Sequence, residues 1–158
     1  MSTFPPIEDL LPHRGNMLLL TRMLAADEER ATCEAVPDAQ AWYAEADGTM
    51  PAWVGIELMA QAIAAHVALI ARRAGKSPRP GVLLGTRAYK TTVDRHSAGQ
   101  ALHITAQLSY RDESGLGAYD CTLADTAGTP LATAAITVYE PEDFNTFIHG
   151  NSHGETPS

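Results

Sequence analysis

Only two cysteines, Cys33 and Cys121, occur in the 158 residues. They have no metal-ligand spacing and are too few for a disulfide framework. A stapled secreted scaffold is therefore excluded, and a reducing, cytoplasmic setting is expected. Aromatic residues are sparse, at 6%. Cations are scarcer than acids, 11 against 19, for a formal net charge of −8. That balance argues against general nucleic-acid binding, which needs a basic footprint. The N-terminal MSTFPPIEDLLPHRG has no basic segment leading into an apolar one, so no secretory signal is expected. The longest uncharged stretch in the middle of the chain, Leu58 to Ala71, has 14 residues and includes Gln61 and His66. It reads as too short and too polar to span a bilayer. Phosphate-loop, dinucleotide-binding, zinc-ligand and nucleophile-elbow patterns are all missing, so neither cofactor nor metal is expected.

What remains is ordinary globular material, 45% apolar and 19% charged. The length suits a single domain, placed over residues 1–144, with a mobile tail over 145–158 that is rich in Gly, Asn, Ser and His. The charge is unevenly spread. Between Arg72 and Arg95 lie seven cations and one acid, a local +6 that leaves −14 on the rest. Such a segment suits a specific anionic partner, or equally a solvated helix end and loop.

Met17 to Ala26 is apolar enough for a strand, with Arg30 to Val36 as its partner across Asp27-Glu28-Glu29. Pro51 is expected to open a helix, because its missing N–H has no partner in a first turn. The helix should run from Ala52 to Ala74, with Arg72 and Arg73 in its last turn and Gly75 just beyond. It is apolar nearly all round, the mark of a buried helix. After Ser-Pro-Arg-Pro-Gly, strands are expected at Val82 to Val93, Ala101 to Arg111, Leu116 to Asp125 and Pro130 to Tyr139. Hairpin-length links make the last three antiparallel neighbours. The order predicts an α+β fold: an antiparallel sheet wrapped around one long central helix.

Glu57 is the only charged residue between Met50 and Ala71. An unpartnered carboxylate buried there would have its pKa pushed upward, as a general acid requires. A structural glutamate bonded to a strand or a dimer partner is the competing reading. Gln61, one turn on, lies within hydrogen-bonding reach on the same face. The N–H groups at Pro51-Ala52-Trp53 could polarise a carbonyl oxygen.

Two segments carry a family resemblance. Leu11-Pro12-His13-Arg14 with Met17 to Arg22 resembles the LPHR…LLxDR opening of β-hydroxyacyl-[acyl-carrier-protein] dehydratases of the hotdog superfamily. Pro51 to Gln61 resembles their PG-x4-E-x-MAQ helix start. The chain is most similar to the dehydratase-like proteins of aryl-polyene-type clusters, whose helix reads PAWVG-x-E-x-MAQ. The resemblance implies a hotdog fold, dimers with sites built from two chains, and dehydration of a β-hydroxyacyl thioester in fatty-acid or polyene-type biosynthesis. It implies Glu57 as the acid, with Ala52, Trp53, Tyr43 and Gln61 lining the substrate. The acyl chain would arrive on the phosphopantetheine arm of an acyl carrier protein. The acidity of such carriers points to Arg72, Arg73, Lys76 and Arg79 as the docking surface.

One position departs from the pattern. The family's catalytic histidine lies fourteen residues before the glutamate, where this chain has Tyr43. A phenol with an ordinary pKa near 10 is a poor base at neutral pH. His13 belongs to the LPH motif and is expected to be hydrogen-bonded where the chain joins the sheet. His66 is expected in the core or an interface, His96 in a loop and His103 on a strand's polar face. His149 and His153 fall in the tail, without signals for a metal site. Three functions stay open: a dehydratase, a silent partner subunit of an active dehydratase in a homodimer or heterodimer, and an acyl thioesterase.

Overall fold

Alternation of apolar and polar residues in the C-terminal third forces those segments into strands with one buried face. Leu102, Ile104 and Ala106 point inward, as do Tyr119, Cys121 and Leu123, then Ala132, Ala134, Ile136 and Val138. The computed structural model describes residues 4–77 and 82–139. A short helix α1 (Ile7–Leu10) precedes strands β1 (Arg22–Ala26) and β2 (Arg30–Ala35). A two-residue strand β3 (Met50–Pro51) leads into the long helix α2 (Val54–Arg73). Strands β4 (Val82–Thr91), β5 (Arg95–His96), β6 (Leu102–Arg111), β7 (Leu116–Ala124) and β8 (Pro130–Tyr139) follow. Among the described residues, six strands form one antiparallel sheet in the order β1-β2-β6-β7-β8-β4, and β3 pairs with β5 alone.

The sheet wraps α2, as expected. Leu58, Met59, Ala62, Ile63, Ala65, Ala68 and Leu69 are buried against it. Burial of each larger aliphatic side chain contributes about 1.5–3 kcal/mol. Alanines at Ala31, Ala62, Ala65 and Ala106 let the helix seat closely on the strands. On its other side Ile56, Ala60, Ala64, Val67 and Ile70 are only half-buried, so the helix is not covered all round. Its 20 residues are long and apolar enough to cross a membrane by length and composition. It is also the helix the sheet encloses, as expected of a core helix.

Two boundaries differ for physical reasons. Pro51 lies in β3 rather than in the helix: Met50–Pro51 pairs with Arg95–His96, and α2 begins three residues later. Glu57 thus falls in the first helical turn. Met17 to Thr21 is outside β1, because a helix side chain takes the Met17 carbonyl and the Leu19 N–H. Gly75 does sit in the left-handed region past α2, at φ 71°. The proposed tail, with His149 and His153, lies outside the described residues, as does Arg79.

His66 belongs to the core. One ring nitrogen, Nε2, lies 2.9 Å from the Asp27 carbonyl, and Nδ1 lies 2.9 Å from the Tyr119 hydroxyl. A carbonyl can only accept, so Nε2 carries the proton and Nδ1 accepts from Tyr119. The Arg111 guanidinium also donates to that hydroxyl, at 3.2 Å. Cys33 and Cys121 are buried thiols pushed up to about 12 by burial, hence unreactive.

Burial holds the His66 pKa below its ordinary value, against the favourable Asp27 bond, and burial does the same for His96. The unfolded chain therefore binds protons that the native chain refuses, and stability falls as pH drops below about 6.5. Urea unfolding should show a lower midpoint at pH 5.5 than at pH 7.5. His66→Gln should cost about 1–3 kcal/mol at pH 7.5 and show a smaller loss on acidification.

Candidate active site

Gln61, buried one turn beyond Glu57, is the hub of the site. Its Nε2 donates to the Met17 carbonyl at 2.8 Å and to Glu57 Oε1 at 3.0 Å. Its Oε1 accepts from the Leu19 N–H at 3.0 Å. One amide therefore pins the segment after the Leu-Pro-His-Arg turn onto the helix and orients the carboxylate. Arg14 fixes that turn by donating to the Leu11 and His13 carbonyls at 2.6 and 2.7 Å.

Two expectations change here. Glu57 is not buried: its side chain is 40% exposed in the single chain. His13 is not hydrogen-bonded where the chain joins the sheet. Its Nε2 faces Glu57 Oε1 at 3.7 Å, and its Nδ1 is buried with no hydrogen-bond partner among the described residues. Sequence reasoning discounted this histidine because its motif assigned it elsewhere. The available signal was the pairing of two motifs, since the LPHR turn and the Glu-x-Met-Ala-Gln helix start meet through Gln61.

The start of α2 is held from the other side. The Ala52 N–H donates to the Asp94 carbonyl at 3.0 Å, so it is already committed and cannot polarise a thioester. The Gly55 and Ile56 N–H groups turn back to the Ala52 and Trp53 carbonyls at 3.0 and 3.2 Å. Those of Trp53 and Val54 meet no acceptor among the described residues; Val54 is fully buried, so of the two only Trp53 lies at the surface. The Tyr89 hydroxyl donates to the Ala52 carbonyl. It reaches that far because β4 bulges between Arg87 and Lys90, with Ala88 at φ 55°, a conformation that costs a non-glycine residue about 1–2 kcal/mol. Burial raises the Tyr89 pKa and keeps it a neutral donor.

Of the two aromatic residues expected near the acid, Trp53 is exposed and Tyr43 is buried. Tyr43 is buried, and its hydroxyl accepts the Asp38 N–H at 2.9 Å. Trp42 is 47% exposed, its Nε1 donating to the Asn16 carbonyl at 2.9 Å, with its ring 6.2 Å from that of Trp53. Trp53 is 57% exposed and Met17 52%. An apolar face thus surrounds Glu57, and it is unusual to leave such residues uncovered together.

The cations are dispersed. Arg72, Arg73 and Lys76 are exposed at the far end of α2, about 24 Å from Glu57 at 1.5 Å per residue. Arg87 and Lys90 are exposed on β4 on either side of Tyr89. Arg95 is paired with Asp47 at 2.8 Å, and the Asp47 carboxyl is held down to about 2 by Thr49 and then by Arg95. No cluster of three or more His, Cys, Asp or Glu side chains able to hold a metal occurs among the described residues.

The family model described as ApeP-like, ApeP dehydratase, matches residues 5–149. The fold is similar to a chain of the dehydratase heterocomplex ApeI:P from Xenorhabdus doucetiae. Identity is 26%, the TM-score 0.84, and the match covers 94% of this chain and 99% of that one. It is also similar to the E. coli PaaI protein from the phenylacetic acid degradation operon (17% identity, TM-score 0.58, covering 75% and 82%). A hypothetical thioesterase with coenzyme A from Streptococcus pneumoniae TIGR4 shares 11% identity at a TM-score of 0.60, covering 75% and 84%. The last two likenesses are of fold alone. No curated protein matches the chain.

Gly55 tests the packing that holds the helix start. A Cβ there would lie 2.5 Å from the Tyr89 hydroxyl oxygen and 3.4 Å from Leu123 Cδ1. Gly55→Ala should displace Tyr89 from Ala52 and destabilise by about 1 kcal/mol, overpacking outweighing helix propensity. In a Tyr89→Phe background the same change should be neutral or stabilising. A double-mutant cycle of urea midpoints measures the difference.

Proposed function

Because the chain belongs to the ApeP-like dehydratase family, we propose that it works on β-hydroxyacyl thioesters carried by an acyl carrier protein, with Glu57 as the proton donor to the departing hydroxyl. The observation that carries this reading is the position of Glu57: it lies in the first turn of α2, bonded by Gln61, one turn from the uncommitted N–H of the exposed Trp53. A thioester carbonyl accepting from Trp53 would have its negative charge stabilised there. The acyl chain would run along Met17, Trp42 and Trp53.

The uncovered face supports a second chain, either another copy or a dehydratase homologue. The heterocomplex of the 26%-identical relative favours the homologue. Tyr43 stands where related enzymes carry their base, and its hydroxyl is already engaged. That leaves Tyr43 unsuited to the base's role. The two buried, free thiols agree with a cytoplasmic setting.

Turnover of a β-hydroxyacyl carrier-protein substrate to the enoyl product, followed by mass spectrometry, tests the reading. Glu57→Gln should lower it by about 100- to 10,000-fold, with the fold unchanged by circular dichroism. Release of free acid instead of enoyl product would indicate the thioesterase reading.

Docking can be assigned separately. Arg72→Glu with Arg73→Glu should weaken carrier-protein affinity at low salt if the helix end is the dock. Arg87→Glu with Lys90→Glu should do so if the dock adjoins the site. Unchanged affinity in both would exclude a cationic dock at either place.

A further inference from the structure

Glu57 has a neighbour that the reading above leaves idle. His13 Nε2 lies 3.7 Å from Glu57 Oε1, and no other histidine nitrogen among the described residues is paired with that carboxylate. Both nitrogens of His66 are committed, to Tyr119 and Asp27. His96 is buried on β5, beside Met50. His103 lies on β6 between Glu34 and Ala124. Tyr43 is buried with its hydroxyl engaged.

Resting on the dehydratase reading, we propose that His13 is the proton acceptor of the elimination, so that base and acid come from the same chain. The reacting nitrogen is Nε2, because Nδ1 is buried beyond reach of a substrate. A neutral imidazole accepting at Nε2 carries its hydrogen on Nδ1. Arg14 holds the turn through the Leu11 and His13 carbonyls, and Gln61 holds Glu57, so both partners are positioned before substrate arrives.

The step balances without a further reagent. His13 Nε2 takes the α-proton, and the C–H electron pair becomes the new Cα=Cβ bond. The Cβ–O bond breaks with its pair on oxygen, and the Glu57 carboxyl proton completes a water molecule. The products are the enoyl thioester and water, with His13 protonated and Glu57 ionised. Proton return from Nε2 to Oε1, across a gap of 3.7 Å before any movement, restores the starting state.

The test uses the full chain co-expressed with the dehydratase homologue of its own genome, and a 3-hydroxybutyryl pantetheine thioester as probe. His13→Asn should lower kcat by about 100- to 10,000-fold with KM within about threefold, since the loss is of a transition-state interaction. His13→Ala should regain turnover when imidazole is added, which a merely structural histidine would not. Turnover in His13→Asn at a third or more of the unsubstituted rate would overturn the proposal and leave the dehydratase reading standing. Loss of activity without imidazole rescue, in a variant that is folded and still bound to its homologue, would also overturn it. No enoyl product from the unsubstituted complex would overturn both.

Discussion

The arrangement of the site depends on one buried amide. Gln61 spends its carboxamide on three partners from two parts of the chain: the Met17 carbonyl, the Leu19 N–H and the Glu57 carboxylate. Without it, the segment from Met17 to Leu19 would lose the groups that hold it outside the sheet. Among the described residues, the other group paired with the carboxylate is the adjacent imidazole of His13. A buried side chain that satisfies two backbone groups is costly to replace, because each group left unpaired costs about 1–3 kcal/mol. The residue that orients the acid therefore also ties the lead-in to the core helix. Fold and site share a single point of failure.

The opposite flank is built on strain and close approach. A left-handed Ala88 in the β4 bulge brings Tyr89 onto the Ala52 carbonyl, and Gly55 leaves room for the phenol. Asp94 takes the Ala52 N–H from the same side. Together these contacts hold Ala52 from both its polar groups, so the uncommitted N–H at the exposed helix start is that of Trp53. The helix start is positioned by strands, not by a capping side chain, since Trp53 makes no side-chain cap.

Much of this architecture was legible in the sequence because it follows from periodicity. Alternation gave β6 to β8 their faces, and the long apolar run with Gly75 behind it marked α2. Glu57 stood out by charge alone, and Gln61 by its spacing of four. What was not legible required contacts distant in sequence. Leu19 and Gln61 are 42 residues apart, and Tyr89 and Ala52 are 37 apart. Pro51 looked like a helix opener because local chemistry permits that role, yet pairing with Arg95–His96 took it into β3. That Tyr43 is buried was not legible either, since a loop has no period to say which side chain turns inward. The burial of Glu57 was misjudged for a related reason: an apolar helix can still leave one stripe uncovered.

That stripe bears on why a chain of this kind needs company. Ile56, Ala60, Ala64, Val67 and Ile70 stay half-buried along α2, and Met17, Trp42 and Trp53 stay exposed around its start. The acid sits between the two sets. A proton donor has to be kept from water until it acts. The single chain leaves 40% of the side chain exposed and so does not exclude water from this position. A second chain laid over the aromatic face would do so, burying apolar surface at about 25 cal/mol per Å² and desolvating the site by the same contact. If acid and base both come from this chain, the partner's contribution is the cover: it makes the site dry, and the chemistry waits on assembly.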